Sequence, residues 1–535
     1  MKFYPMHLHL HCSHEPTASI GSHMSRAAAL GVHYIWTTEH DTRMGQKAKG
    51  FPLFSFPEKE LFTTLENGVK AGFKEEDGNT GSYIFEESES GISLRICAQK
   101  NQRESLLFYS AGKRHCDPLF SRISINLKAD IIPCLKENGR VMVEFILSAQ
   151  PPAYQQVTAC YVLGEIPENR ENTQYLPFPK KQDGSYCFNL TEDVSAGIGG
   201  VDNAFCNVRL TVENGAELQF YSFAFNRELN FQEVREEQIK LAKKLGEKWG
   251  VTPFVGFEIT GAGNHKNCYS TTVPVIDYRE FDYKVSSEQA IDHVKKHGGV
   301  FSWNHPFTIY TKREETREAV FAEVAQKLVE NRVYGASLME VGFPYGRDGF
   351  EANHYLQLWD ILSANGIFIT GDGESDNHHA VADGWTEGNN FCTFVGLHEQ
   401  ETATEENFTR ALVRGSVWAG NPVKIKNFNF SSGEIPQGSV ICGRQVCVEF
   451  CAKDILCEGY ALCIVNGKQV KRVEIANGEL EGQFTLARAQ KYNFARVEIY
   501  DGNDVLIAFS NPIYLVEKEE DVPADAIRNQ RMVIK

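Results

Sequence analysis

A chain of 535 residues, 42% hydrophobic and 23% charged, is too long for one ordinary core and has the make-up of a soluble protein of several domains. Its net charge of −16 argues against binding a nucleic-acid polymer, because that grip comes from Lys and Arg. No stretch approaches the roughly 18 apolar residues of a membrane span, and Met1 to Met6 leave no room for the apolar core of a signal peptide, so the cytoplasm is the expected location.

The elements predicted in chain order fall into two styles. Phe3 to His11 alternates as a strand, Ser25 to Leu30 reads as a helix closed by Gly31, and Val32 to Thr38 reads as a strand ending in Glu39-His40-Asp41. Period-two segments then take over at Ser93–Ala98, Arg140–Leu147, Asn207–Val212 and Glu217–Phe225, which predicts a β-sandwich. Strand–helix alternation resumes with a strand over Pro253–Ile259, a helix over Ser286–Lys296 and a strand over Val300–Trp303. A helix over Arg317–Asn331, a strand over Ala336–Val341, a helix over Tyr355–Ala364 and a strand over Ile367–Thr370 follow. Such alternation implies parallel βαβ units, in an open sheet or a barrel. The tail is period-two again at Val446–Phe450, and Ala495–Tyr500 and Val505–Phe509 flank an Asp501-Gly502 turn as a hairpin. The predicted division is residues 1–48 and 246–422 for one α/β domain, 49–245 for an inserted β-sandwich and 423–535 for a C-terminal one.

Histidine is distributed unevenly. Seven of the sixteen lie in the first forty residues, only His115 falls between 41 and 264, and none follows His398. Imidazole is the commonest metal ligand. His9 and His11 are two apart on a predicted strand and share a face with His7, so two rings can reach one ion. His40, Glu258, His265, His305, Asp376 and His378 also sit at or just beyond predicted strand ends, where parallel folds place their chemistry. The fourteen cysteines contain no Cys-x-x-Cys pair and read as small buried hydrophobes.

His9-Leu-His11, Thr38-Glu-His40, Gly256-Phe-Glu258, Asn304-His305-Pro and Ser375-Asp376-Asn-His378 resemble, in order and composition, the motifs of the PHP (polymerase and histidinol phosphatase) superfamily. Asn407–Val417 followed by Gly-Asn-Pro, and Ser510-Asn-Pro-Ile-Tyr, resemble a subgroup with β-sandwich modules and carbamate-hydrolase-like members. The resemblance implies a distorted (β/α)7 barrel, two or three divalent ions (Zn, Mn or Fe) and phosphoester hydrolysis. It implies the ligands His9, His11, Glu15, His40, Glu258, His265, His305, Asp376 and His378, with Glu258 bridging. Two departures stand out: His7 occupies a position where the family often has Asp, and His14 competes with Glu15 as a further ligand.

The expected chemistry is hydrolysis of a small phosphorylated metabolite or nucleotide through a metal-bound hydroxide, with Asp376, His378 and Glu258 catalytic and no Ser or Cys nucleophile needed. Arg43, Lys266 and Arg347, each near a motif, are the expected phosphate contacts. The rivals are a carboxylic or carbamic ester hydrolase using the same site, and a carbohydrate-binding or scaffolding protein with a vestigial site. His293 and His297, four apart on a helix without a neighbouring Glu, read as a solvated face. Glu340, ending a predicted strand, reads as packing or as a group that orients a ligand or substrate, and His379 as adjacent to the centre.

Overall fold

The computed structural model describes residues 1–12, 18–41, 52–55, 73–75, 83–88, 91–109, 126–136, 138–148, 156–195, 204–225, 231–260, 264–281, 285–307, 317–342, 350–378 and 391–535. Met1–His11, Met24–Asp41 and Gly246–Lys535 form one compact unit, and Cys12–His23 with Thr42–Leu245 form another.

In the first unit, β1 (Lys2–Leu10) pairs in parallel with β2 (Tyr34–Thr37), and β2 pairs in parallel with β3 (Thr252–Val255). A second sheet runs in the order β4 (Phe257–Ile259), β5 (Lys266–Tyr269), β6 (Val300–Trp303), β7 (Leu338–Gly342) and β8 (Thr370–Gly373). Its pairs are antiparallel from β4 to β6 and parallel from β6 to β8. The helices Ser287–Lys296, Arg317–Glu330 and Ala352–Ala364 lie in the connections between β5 and β8. The first begins with a capping box: Ser286 accepts from the Gln289 backbone N–H, and the Gln289 side chain accepts from the Ser286 N–H. On the other edge of β1, β9 (Cys392–Leu397) and β10 (Val417–Gly420) run antiparallel.

These pairings overturn the expected distorted (β/α)7 barrel. Among the described residues strand outweighs helix, and the strands of the α/β region divide between two sheets. The pairs β1–β9, β4–β5 and β5–β6 are antiparallel. Alternating periodicity reports which elements follow one another and leaves open which strands pair. Lys-Asn-Cys-Tyr at 266–269 carries too little pattern to announce a strand, yet it is one. Likewise the strand expected at Ile367–Thr370 lies at Thr370–Gly373, because a buried strand may carry glycine and aspartate when neighbouring strands supply its hydrogen bonds.

Packing follows the alternation of β1. Met6 and Leu8 point into a core with Trp36, Phe254, Tyr269, Leu338, Val395, Leu397 and Phe408, while His7, His9 and His11 take the opposite face. Burying each large apolar side chain there stabilises by roughly 1.5–3 kcal/mol.

The tail builds a β-sandwich. β11 (Asn427–Ser432), β12 (Gln445–Lys453) and β13 (Leu480–Ala487) share one sheet. Phe428, Phe430, Val448, Phe450 and Phe484 from it pack with Val497 and Ile499 of β14 (Asn493–Asp501), Ala508 of β15 (Leu506–Ser510) and Leu515 of β16 (Ile513–Val516). β15 pairs with β10, so the sandwich's second sheet is continuous with the sheet containing β1. Asn511 ties that junction to β8: its Oδ1 accepts from the Gly371 N–H at 3.0 Å, and its Nδ2 donates to the Gly371 carbonyl at 2.8 Å and the Val417 carbonyl at 2.9 Å.

The second unit is also a β-sandwich. Arg140–Ser148, Gln156–Leu163 and Ala204–Glu213 belong to a six-stranded sheet, and Gly91–Cys97, Asn126–Cys134 and Glu217–Phe225 to a seven-stranded one. Leu94, Ile131, Phe145, Tyr161, Phe188, Val208 and Phe220, drawn from both sheets, share one core.

Candidate metal centre

The centre lies beyond the C-terminal end of β1 and is assembled largely by backbone contacts. The His11 N–H donates to the Asn377 carbonyl at 3.0 Å and the Ser375 hydroxyl donates to the His9 carbonyl at 3.2 Å, so the Ser375–His378 motif lies directly against β1. A second bridge joins His40 and Glu258, with the Glu258 N–H donating to the Glu39 carbonyl at 2.8 Å. Asp41 steadies the chain after β4, accepting from the Thr260 N–H at 3.0 Å and the Tyr278 hydroxyl at 2.6 Å.

Eight of the nine expected ligands come together. Glu258 Oε1 lies 3.3 Å from His9 Nε2, 3.1 Å from His265 Nδ1 and 3.4 Å from His305 Nε2, and it accepts from Asn304 Nδ2 at 2.9 Å. Its Oε2 lies 2.7 Å from His40 Nδ1 and 3.7 Å from His11 Nε2. Asp376 Oδ1 is 3.0 Å from His11 Nε2, 3.1 Å from His378 Nε2 and 3.4 Å from His9 Nε2. The rings of His11, His40 and His378 form a triangle, with the His11 centroid 4.2 Å from that of His40 and 4.1 Å from that of His378, and those two 5.4 Å apart. His305 and Asp376 both have positive φ, 22° and 48°, a conformation that non-glycine residues adopt at a cost and hold only where their surroundings enforce it.

Glu15, Arg43 and Arg347, with His14 and His379, lie outside the described residues. Lys266 is on β5, with Nζ donating to the Asn264 carbonyl and lying 3.3 Å from Ser287 Oγ and 4.9 Å over the Trp303 ring. Burial pushes its amine down to about 8. His7 is buried on the ligand face of β1 but belongs to none of the potential ion-binding groups among the described residues. His293 and His297 instead donate to the carbonyls of Pro274 and His293, both at 2.8 Å.

Four groups of three side chains have ligand atoms close enough to share an ion: His11, His40 and His378; His9, His11 and Asp376; His40, Glu258 and His265; and His9, Glu340 and Glu374. The second and third have no residue in common, so they can be filled together. The fourth is a hydrogen-bonded set. His9 directs Nε2 to the centre and Nδ1 away from it, 2.6 Å from Glu340 Oε1 and 3.2 Å from Glu374 Oε2. Behind it, Glu374 accepts from the Tyr269 hydroxyl and from Asn267 Nδ2, and Asp372 accepts from Ser302. Sequence reasoning missed Glu374 and Asp372 because Gly371-Asp-Gly-Glu reads as a turn. The available signal was their two-residue spacing, which puts both on one face of a strand.

Electrostatics follow from burial and these contacts. Burial opposes charge on His9, but Asp376 and Glu258 outweigh it and hold its pKa well above the usual imidazole range. Burial also opposes charge on Glu258 and Asp376; His265 and His9 draw Glu258 well below the carboxylate range, and His9 and His378 do the same for Asp376. His11 is held well down by burial and by the rings of His378 and His40, and His40 is lowered by burial. Glu340 is raised by burial although His9 pulls it down, and Glu374 is raised by burial and by Glu340.

The donor set fits divalent ions. His40 Nδ1 and Glu258 Oε2 are buried and 2.7 Å apart, yet neither makes a hydrogen bond: the pair has the proximity of ligands without the alignment of donor and acceptor. Mixed imidazole and carboxylate donors suit zinc, manganese or iron better than magnesium.

No family model and no curated protein matches the chain. Among solved structures it is similar to a carbohydrate-binding module specific for non-crystalline cellulose, CBM28, at 15% identity over 31% of this chain and 90% of that one, with a TM-score of 0.19. It is also similar to a DUF3823 family protein from Bacteroides ovatus, at 11% identity over 18% of this chain and 55% of that one (TM-score 0.13). An agarase aligns at 12% identity over 33% and 24% of the two chains (TM-score 0.19). Likenesses this slight carry no statement about activity.

Proposed function

We propose that this protein is a metal-dependent hydrolase acting on a phosphoester of a small metabolite or nucleotide, with two or three divalent ions held by the histidine–carboxylate cluster. The observation that carries the reading is the convergence of six histidines with Glu258 and Asp376, including the unaligned His40–Glu258 pair. The likeness of the five motifs to those of the PHP superfamily supports the phosphoester class.

His9, His11 and Asp376 would hold one ion and His40, Glu258 and His265 another, with Glu258 facing both sets and His305 beside it. A third ion would draw on His378 with Glu15 or His14. Divalent ions supply Lewis acidity, lowering the pKa of a water and neutralising charge on the departing oxygen. The chain's own contribution is placement and proton handling. Glu258 would fix the facing rings, and Asp376, whose Oδ1 is hydrogen-bonded to His378 Nε2, would accept a proton and pass it towards the leaving group.

The test is elemental analysis of purified protein, followed by chelation, reloading and a panel of activated phosphomonoesters, phosphodiesters and carboxylic and carbamic esters. Phosphoester turnover that disappears on chelation and returns with metal supports the reading. Turnover confined to carboxylic or carbamic esters reassigns the substrate, and a protein that binds no divalent ion removes the reading.

A further inference from the structure

Glu340 is the last but two residue of β7, fully buried, and touches two of the eight clustered residues at once. Its Oε1 accepts from His9 Nδ1 at 2.6 Å, and its Oε2 accepts from the backbone N–H of His305. Those two histidines lie far apart in the sequence, one on β1 and the other in the loop after β6. Their rings lie nearly parallel, 21° apart with centroids 6.1 Å apart.

We infer that Glu340 is a positioning residue that sets two ligands together: it fixes the His9 ring with Nε2 facing the centre, and it holds His305 in its strained backbone conformation. An ionised carboxylate offers only acceptors, so its contact with His9 places the hydrogen on Nδ1 and leaves the Nε2 lone pair for the ion. A ligand imidazole is oriented by the partner of its other nitrogen, and losing that partner typically costs 10–100-fold in metal affinity. Glu374, 3.2 Å from the same Nδ1, is committed to Tyr269 and Asn267 and makes no bond to His305, so it replaces only half of what Glu340 does. The φ of 22° at His305 needs an enforcing contact, and the Glu340 carboxylate is on its N–H.

This role rests on the metal-centre reading, and the experiment keeps the two apart. Zinc affinity of the full chain is measured by competition with a chromophoric chelator for the wild type, Glu340→Ala, Glu340→Gln and Glu340→Met, and each metal-free protein is crystallised. The expected result is a loss of about 10–100-fold in affinity for Glu340→Ala, with the His9 ring rotated in the metal-free crystals. Glu340→Gln keeps one oxygen, enough to accept from His9 Nδ1, and should restore the ring and part of the affinity, whereas Glu340→Met, which fills similar space with no oxygen, should behave as Glu340→Ala does. Wild-type affinity in Glu340→Ala, or an unmoved His9 ring and unchanged His305 backbone, overturns the role. If Glu340→Ala does not fold, Glu340→Gln decides: a ring turned away from the amide counts against the role. A wild type that binds no zinc removes the metal reading, and the metal-free crystals then decide the orientation claim alone.

Discussion

Asp376→Asn is the sharpest test of the centre, because it removes a charge while leaving the backbone content. Asp376 has a φ of 48°, a region that Asn tolerates as well as Asp, so the turn should survive. The lost charge is the one that Oδ1 presents to His11, His378 and His9 at 3.0, 3.1 and 3.4 Å. His11 is held neutral, but His9 faces that charge as a cation, and at an effective dielectric near 20 a unit pair at 3.4 Å is worth roughly 5 kcal/mol before desolvation is subtracted. Removing one partner of a buried pair costs about 3–5 kcal/mol in practice. At about 1.4 kcal/mol per decade, that is from roughly 10²-fold to several thousand-fold in affinity for the ion that His9 and His11 would share. Wild type and variant are compared by melting, bound metal and initial rate on an activated phosphoester. The expected outcome is a near-normal fold, substoichiometric metal and a rate at least about 100-fold lower. A variant with full metal and full rate would reduce Asp376 to a turn residue and refute the reasoning.

Titration of metal-free protein with zinc or manganese should give at least two equivalents per chain, from the two non-overlapping groups, and saturation at about 100 times the dissociation constant should add about 2.7 kcal/mol to stability for each site filled, read as a rise in melting temperature. The metal-free protein should respond to pH in two directions. His9 and His265 are raised, so their contribution is full below the unfolded value of about 6.5 and is lost as pH rises through their folded values; Glu258 and Asp376 are lowered, so theirs is present above the unfolded value of about 4 and is lost as pH falls through their folded values. A melting temperature that is flat across both windows would contradict those shifts, while metal affinity should fall on acidification as protons compete for the ligands. In the inserted sandwich, Phe145→Ala removes a fully buried ring set among Tyr161, Phe188 and Phe223 and should cost about 3–5 kcal/mol, measured by denaturant unfolding.

The candidate site was more legible in the sequence than the fold around it. His9 and His11 announced themselves by spacing on a strand whose other face is Met6, Leu8 and Leu10, and His40, Glu258 and His305 by standing where apolar runs stop. Each is a local signal that survives whatever the strands pair with. Pairing is a non-local property, so the antiparallel β5 and the division into two sheets left no mark in the periodicity. The carboxylates behind His9 were hidden for a different reason. Glycines at 371 and 373 make a buried strand resemble a turn, and the crowding that excludes larger residues is visible only in three dimensions: a Cβ at Gly371 would lie 2.7 Å from the Trp359 ring. The alternation of the insert and tail was legible as β-structure where strands keep one face buried, as Gln445–Lys453 and Leu480–Ala487 do.

Asn511 gives the centre an order of assembly. The strand that leads into Glu374 and Asp376 is held at Gly371 by a side chain 140 residues further along the chain, and Ser375 must reach back 366 residues to His9. Contacts that span such separations close late, since the entropy of a large loop is lost before they form. During synthesis the histidines at 7 to 40 therefore emerge hundreds of residues before their partners. On the metal-centre reading proposed above, a centre that depends on the strand held by Asn511 would be completed, and any ion captured, only after the ribosome has passed Asn511.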